Sequence, residues 1–558
     1  MVIFASFVLI YSYCIFTLGI FSLLYKPYVI SLTILFIVLL IFFFRNSLIQ
    51  SFTKIKEIKI VGYRNKLDSL LVILFVILAA VNLIGALGPE LAFDALWYHL
   101  TLPKLYLLHH SIFHIPGGLL YYSDMPKLGE TLYIGALSIG NEIAAKVIHY
   151  FFGVISAVAL YKVSRKFFSI FVSLVVILIF YSNLVVDSES ISAYIDLIRT
   201  FFEITALWSL LNWVENKKIS SFILSALFLG GAITTKVLAI GDLFVYLPLI
   251  TVIFLSSSFK MSLKLFSYTF KNKLISLLIS LALFSFIAFL IPSPWLVTSF
   301  IHTGNPFYPF FTSIYPIHPT QFGIIQFFVG LWNIFMYSSD PISPLYLIFF
   351  PLLVITFIKL QKEIKLIVLY CVLSLILWYF TPQTGGGRFL LPYLPAFSMV
   401  CGAMYAYFDK KTTKNAKFLS KMLFFTIIFV ILISIGYRFL ANYKYMPVLL
   451  HRQTTSQFLI QHLNFSFGDF YDTDNYFKKT IKPTDRVLLY GFHNLYYVDF
   501  PFVDSSWIKK GYKFNYIATQ KTKLPSKYAN WHLIYNNDKT MVQLYQPPKE
   551  ECRGLCSY

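Results

Sequence analysis

The run Glu90-Leu91-Ala92-Phe93-Asp94-Ala95-Leu96-Trp97-Tyr98-His99-Leu100-Thr101-Leu102-Pro103-Lys104 decides how the rest of the chain is read. It is the first place where carboxylates, an imidazole and aromatic rings gather at the end of an apolar segment, roughly 69 to 87, that can cross a bilayer. The spacing predicts a short amphipathic helix at the water interface, with Asp94 beside Tyr98 on one face and Trp97 and Leu100 turned into lipid. Pro103 is expected to limit that helix, because it disfavours helical geometry in Leu102 and donates no backbone hydrogen bond. A carboxylate held at a fixed depth in this way reads as a reaction centre.

Working outward, the 558 residues are 58% hydrophobic and 13% charged, with mean hydropathy +0.70. Apolar blocks of about 17 to 24 residues recur, each long enough to span hydrocarbon. The pattern predicts a mainly α, polytopic helical membrane protein. Spans are expected near 3 to 24, 28 to 44, 69 to 87, 143 to 160, 168 to 184, 191 to 213, 220 to 236, 238 to 256, 274 to 292, 344 to 360, 365 to 380, 389 to 407 and 420 to 440, about thirteen in all. Residues 1 to 24 lack a basic leader and a clear cleavage site, so they are read as a first helix rather than a signal peptide.

The net charge of +21 is not read as nucleic-acid binding, because Lys and Arg fall in every second loop: Arg45 to Lys66, Lys162 to Lys166, Lys217 and Lys218, Lys260 to Lys273, Lys359 to Lys365, and Lys410 to Lys417. The alternate loops are poor in both, and 293 to 343 contains neither. The positive-inside rule then places the N-terminus in the cytoplasm and puts 88 to 142, 185 to 190, 293 to 343, 381 to 388 and the tail from 441 together on the outer side. The 59 Phe and 39 Tyr supply interfacial belts. In the tail, Arg486 to Gly491, His532 to Tyr535 and Met541 to Tyr545 read as strands, with Asn536-Asn537-Asp538 as a turn, so a small α/β domain is expected there. Of the five cysteines, Cys14, Cys371 and Cys401 lie in apolar spans as small buried residues. Cys552 and Cys556 have the spacing for a small disulfide on an oxidising side.

Asp94 can accept a proton from an incoming hydroxyl or amine, although alone it also suits a helix start. Glu130 is expected outside, orienting an acceptor or completing a polar floor beneath Asp94; a solvated interfacial Glu is the alternative. Asp196, Arg199 and Glu203 share one helical face within a span, and such charges face protein or a wet cavity. Arg199 and Glu203 are explained by mutual pairing, which leaves Asp196 as the site candidate. Lys236 and Arg388 fall at outer ends of spans, where they suit a phosphate or, equally, lipid headgroups. Gly385-Gly386-Gly387 before Arg388 allows close backbone approach or a flexible turn. Phe307-Tyr308-Pro309-Phe310-Phe311 either stacks on a sugar or forms an interfacial belt. His110 and His114 have helical zinc spacing, but Pro116-Gly117-Gly118 argues against helix there.

The order Phe93 to Leu100, Pro103-Lys104, Pro126-Lys127-Leu128-Gly129-Glu130-Thr131-Leu132-Tyr133, then Ala193-Tyr194-Ile195-Asp196-Leu197, Thr234-Thr235-Lys236, Thr303-Gly304-Asn305-Pro306-Phe307-Tyr308-Pro309 and Arg388 to Pro395 resembles GT-C glycosyltransferases. The likeness is to bacterial Rgt-like or family 39 members, relatives of protein O-mannosyltransferases and lipid A aminoarabinose transferases, over about 69 to 440. It implies a GT-C catalytic domain at 69–440, preceded by two additional helices and a basic loop at 1–68 and followed by the outer α/β domain at 441–558. It further implies an inverting transferase in the plasma (inner) membrane that moves a sugar from a polyprenyl phosphate donor to a glycolipid, polysaccharide or protein acceptor, with no nucleic acid involved. Asp94 and Glu130 are then expected to be catalytic, and Tyr98, His99, Asp196, Lys236, Asn305, Tyr308 and Arg388 to contact substrate. Many members carry a second carboxylate where this chain has Ala95, so no two-carboxylate metal centre is expected and any divalent cation would need other ligands. Two competing readings are a transporter or flippase of lipid-linked saccharide, for which interrupted helices and repeated halves are not evident in the sequence, and a scaffold that keeps the fold without the reaction.

Overall fold

The computed structural model describes residues 1–58, 66–256, 273–316, 323–338, 340–381, 383–548 and 556–557. The expected basic loop at Lys260 to Lys273 falls almost wholly outside these residues, as do Cys552 and part of the loop from Arg45 to Lys66.

Helices α1 (Val2–Ile20), α2 (Lys26–Ile58) and α3 (Lys66–Ala86) lead to the opening motif. The segment after it holds α4 (Thr101–His109) and α5 (Leu128–Ile139). Then come α6 (Glu142–Ser164), α7 (Ile170–Tyr181), α8 (Leu184–Ser190), α9 (Asp196–Asn216), α10 (Ile219–Thr235) and α11 (Leu243–Leu255). The second half holds α12 (Lys273–Leu290), α13 (Ser293–Thr303), α14 (Ile324–Met336), α15 (Leu345–Thr356), α16 (Lys362–Tyr379), α17 (Leu394–Asp409) and α18 (Lys414–Asn442).

A helix lies over every segment expected to span. Among the described residues, six are long and apolar enough to cross a membrane by themselves, or eight if each bent pair counts once, against about thirteen expected. The segment 293 to 343, expected as an outer loop, is itself partly helical, through α13 and α14.

Interrupted helices, which the sequence did not reveal, are present. α7 and α8 bend by 66° and α12 and α13 by 65°. At the first break Arg438, fully buried on α18, closes the exposed backbone: its Nη2 donates to the Tyr181 carbonyl at 2.7 Å and to that of Asn183, and its Nη1 to Asn82 Oδ1 at 3.1 Å. The Ser434 hydroxyl donates to the Ser182 carbonyl at 2.7 Å. Inside a bilayer an open carbonyl costs several kcal/mol, so a guanidinium that serves two of them stabilises the kink.

α9 packs between α6 and α10. It starts at Asp196 rather than near 191, because the preceding loop is held in another shape. The Ala193 N–H donates to Glu90 Oε2 at 2.6 Å, and His149 Nδ1 donates to the carbonyls of Glu189 and Ser192 at 2.7 and 2.9 Å. Asp196 is therefore the first residue of its helix and not one embedded within a span.

The tail forms strands β1 (Val487–Tyr490), β2 (Phe502–Asp504), β3 (Lys513–Phe514), β4 (Tyr516–Gln520), β5 (His532–Asn537) and β6 (Val542–Gln546). Five make one sheet in the order β2-β1-β4-β6-β5, with β1 parallel to both neighbours and β6 antiparallel to both of its own. β3 pairs with residues 556–557. This domain docks on the opening motif. The Tyr496 N–H donates to the Leu96 carbonyl at 3.3 Å, the Tyr497 hydroxyl to the Glu90 carbonyl at 3.0 Å, and Lys104 Nζ to the carbonyls of Tyr496 and Val498 at 2.6 and 2.8 Å.

Candidate active site

Glu90 shapes the backbone that presents Asp94. Its Oε1 accepts the N–H groups of Leu91 and Ala92, both at 2.8 Å, while Oε2 holds Ala193. Asp94 follows and directly precedes a five-residue π-helical turn, Ala95–His99, closed by Leu100 N–H to the Ala95 carbonyl at 2.9 Å; its side chain makes no capping hydrogen bond there. Pro103 does not end a helix here. It sits in the first turn of α4, where its missing N–H would have had no intrahelical partner.

Trp97 and Leu100 do not face lipid. Leu100 is fully buried, and Trp97 donates Nε1–H to the Leu119 carbonyl at 2.8 Å and packs against His493, 4.5 Å between ring centres. Segments brought from residues 119 to 122 and from the tail domain cover the face that a local pattern assigns to the bilayer.

Asp94 opens on a cavity of ≈ 300 Å³ lined also by Tyr98, His99, Glu130, Lys236 and Arg388. Arg388 Nη2 lies 2.8 Å from Asp94 Oδ2, and Arg388 Nε lies 3.9 Å from Asp196 Oδ2. Lys236 Nζ donates to Asp196 Oδ1 at 2.6 Å. Asp196, almost fully buried beneath the cavity, thus gathers both cations. Arg388 is brought in by the glycines before it. Gly386 has φ of 53°, and a Cβ on Gly387 would lie 2.2 Å from the Asp340 carbonyl oxygen.

On the opposite wall His99 Nδ1 and Glu130 Oε1 are 2.8 Å apart, and Glu130 Oε2 is buried without a hydrogen-bond partner. Burial pushes the Glu130 carboxyl up, but the His99 hydrogen bond and the nearby Lys127 charge more than offset it and hold it below the ordinary range. Tyr98 stacks on Tyr122 at 4.0 Å, and burial, then the Asp94 charge, push its phenol up.

Two expected contacts stand apart from the cavity lining. Asn305 builds a turn, with Oδ1 accepting Phe307 N–H at 2.9 Å and Nδ2 donating to the Phe310 carbonyl at 2.8 Å. Tyr308 packs against His114, 6.0 Å between ring centres. From that segment Phe310 and Tyr315 reach the cavity instead. His114 and His302 both hydrogen-bond Asp124, at 2.6 and 2.7 Å, and tie the segment between α4 and α5 to α13. Among the described residues no group of three or more His, Cys, Asp or Glu is placed to hold a metal ion.

Sequence reasoning missed Lys127 as a lining residue, although it lies between Pro126 and Glu130 in one of the motifs that carry the resemblance. Its ammonium is buried, donates to the Tyr122 carbonyl, and is pushed down to about 8 by burial, against the charges of Glu130 and Asp124. Asp242 and Tyr393, below the cavity, were also missed. Asp242 was detectable as a lone carboxylate inside an apolar stretch.

The cavity is lined by two acids, Asp94 and Glu130, and three cations, Lys127, Lys236 and Arg388, and the helical arrangement around it is an ArnT-like GT-C fold. The chain is similar to ArnT from Cupriavidus metallidurans in the apo state, with TM-score 0.55 and 12% identity over 85% of this chain and 97% of that one. It is equally similar to the same protein bound to undecaprenyl phosphate, with TM-score 0.55 and 12% identity over 86% and 98%. No family model and no curated protein matches the sequence.

Proposed function

We propose that this protein is a membrane glycosyltransferase that moves a sugar from a polyprenyl phosphate donor to a glycolipid, polysaccharide or protein acceptor outside the cytoplasm, with inversion. The observation that carries this reading is one cavity shared by Asp94 and the cations Lys127, Lys236 and Arg388. Asp94 takes the proton of the acceptor hydroxyl or amine as that atom attacks the anomeric carbon. The bond from carbon to phosphate oxygen breaks on the opposite face, which inverts the centre. The departing phosphate's charge is met by Arg388 as a planar fork and by the two lysines as point charges.

Glu130, paired with His99, fixes the acceptor side. Tyr98, Phe310 and Tyr315 supply surfaces for a sugar ring. An apolar groove of ≈ 370 Å³, lined by Trp332, Tyr346, Leu394 and Phe397, includes Leu390, two residues from Arg388. It suits the prenyl chain. The alternation of basic loops supports an inner-membrane protein with its N-terminus in the cytoplasm and the 441–558 domain outside, around a catalytic unit at 69–440. The ArnT likeness, at 12% identity, supports the fold on which this is built; the polyprenyl phosphate named for the lipid-bound structure guides the choice of donor.

A flippase of lipid-linked saccharide is the second reading, favoured by the two bent helix pairs. Sealed vesicles carrying the protein, given radiolabelled polyprenyl phosphate sugars, separate the two. Label moving from the prenyl carrier into an acceptor supports transfer. Label crossing the bilayer while still on its carrier overturns it.

A further inference from the structure

Beneath the cavity lies a second polar group that the proposed reaction does not use. Arg199 Nη2 donates to Asp242 Oδ2 at 2.9 Å and to the Tyr393 hydroxyl oxygen at 2.8 Å, and that hydroxyl donates in turn to Asp242 Oδ1. The three side chains are buried, with residue exposures of 3%, 0% and 3%, and Glu203 also bears on Asp242. The guanidinium carbon also lies 5.5 Å from the centre of the Tyr393 ring. The expected mutual pairing of Arg199 with Glu203 is the weaker contact, at 3.9 Å. Glu203 is served instead by the hydroxyls of Tyr246 and Tyr370 at 3.4 and 3.3 Å.

What gives the triangle meaning is where its corners sit in the chain. Arg199 is three residues into α9, which begins with Asp196. Asp242 ends the short 3-10 segment Val237–Asp242, which begins directly after Lys236. Tyr393 ends the segment Leu391–Tyr393, just beyond Arg388. The ion pairs at the cavity tie Asp196, Lys236 and Arg388, and the triangle, deeper, ties the start of the helix that Asp196 opens to the short segments that follow Lys236 and Arg388 in the chain.

The upper ties are the ones a phosphate disrupts, because it competes with Asp94 and Asp196 for the same cations. With those pairs loosened, the two cations lose the carboxylates that fix their positions, and the mobile phosphate alone would have to set their spacing. The lower ties do not involve the ligand and survive its arrival. We propose that Arg199, Asp242 and Tyr393 are positioning residues that hold Lys236 and Arg388 at the spacing a donor phosphate needs, independently of the ion pairs the phosphate displaces. This rests on the transferase reading and adds to it a preorganised anion cradle.

Tyr393→Phe removes one hydroxyl and keeps the ring; Arg199→Lys keeps the charge and loses the fork. Tyr150→Phe, which deletes a hydroxyl bonded to the Ala79 carbonyl at 3.0 Å away from the cavity, is the control. Each full-length variant is titrated with undecaprenyl phosphate, assayed for donor and acceptor KM, and melted. For Tyr393→Phe the affinity for undecaprenyl phosphate is expected to fall about tenfold, the worth of one hydrogen bond to a charged group, and donor KM to rise with it. Arg199→Lys is expected to lose more, while acceptor KM stays put in both and the control changes nothing. A Tyr393→Phe protein that melts early with unchanged phosphate affinity and donor KM has lost only structure, and that result overturns the proposal. A native protein that does not bind undecaprenyl phosphate at all sinks the transferase reading and this inference with it; a native protein that binds while both variants bind equally well sinks the inference alone.

Discussion

Arg388 Nη2 stands 2.8 Å from Asp94 Oδ2, so the carboxylate proposed as the base is held by the cation proposed to receive the phosphate. A donor phosphate that draws the guanidinium away would release Asp94, so that the base is freed only when there is a sugar to transfer. Asp94→Asn is expected to lower transfer by about 10² to 10⁴, the usual worth of a positioned general base. Affinity for undecaprenyl phosphate should hold or rise, because Arg388 loses a competitor. Transfer kinetics beside a phosphate-lipid titration check this, and unchanged transfer would remove Asp94 from its role.

The Lys236 and Asp196 pair is mostly shielded from water, with side-chain exposures of 15% and 1%. Lys236→Met leaves a buried carboxylate with only the more distant Arg388, and a loss of about 3 to 5 kcal/mol is expected. Adding Asp196→Asn should restore the melting temperature without restoring donor binding. Thermal unfolding and lipid titration on the single and double variants distinguish the structural from the functional part.

Lys104 joins the tail domain to the membrane part through two carbonyls and Asp499, the last at 2.7 Å. Lys104→Met strands both carbonyls, at a cost of about 1 to 3 kcal/mol each where they stay dry. Hydrogen exchange at residues 495 to 500 should quicken while that of β1 and β4 stays slow. Equal acceleration across the whole domain would mean that Lys104 supports its folding rather than its docking.

Burial pushes Asp504, at the end of β2, up to about 6 from the ordinary 3.8, against the Ser506 hydrogen bonds that lower it. Between those values the folded chain keeps a proton that the unfolded chain has lost. Its contribution is therefore complete below about pH 4 and disappears as pH rises through 6, a change of roughly 3 kcal/mol for about two units. Asp504→Asn should remove this slope. Unfolding of the full-length protein, followed at the β1 to β2 edge from pH 4 to 7, tests it; a native slope of the opposite sign would be the contrary result.

Apolar blocks announced the helices, because each needs only its own residues to be recognised. Asp94, Lys236 and Arg388 were legible for a related reason, since a charge next to an apolar run costs free energy unless a partner or a ligand holds it there. The orientation of Trp97 was not, because His493, which covers it, comes from a domain nearly four hundred residues away. Asn305 and Tyr308 stand outside the cavity lining, since turn-building and ligand-binding draw on the same polar and aromatic residues. The Arg199 triangle was half visible. Its arginine stood out, but Tyr393 is one of 39 tyrosines, and nothing local marks it.

The arginine that closes the α7 break lies on α18, the last candidate span among the described residues, 257 and 255 residues after the carbonyls it serves. During synthesis, α7 and α8 thus enter the lipid with their kink unfinished and must wait for α18 to be translated. A ribosome stopped short of residue 438 would leave an assembly intermediate with bare carbonyls at membrane depth, the kind of defect that insertases shelter and that proteolytic surveillance recognises.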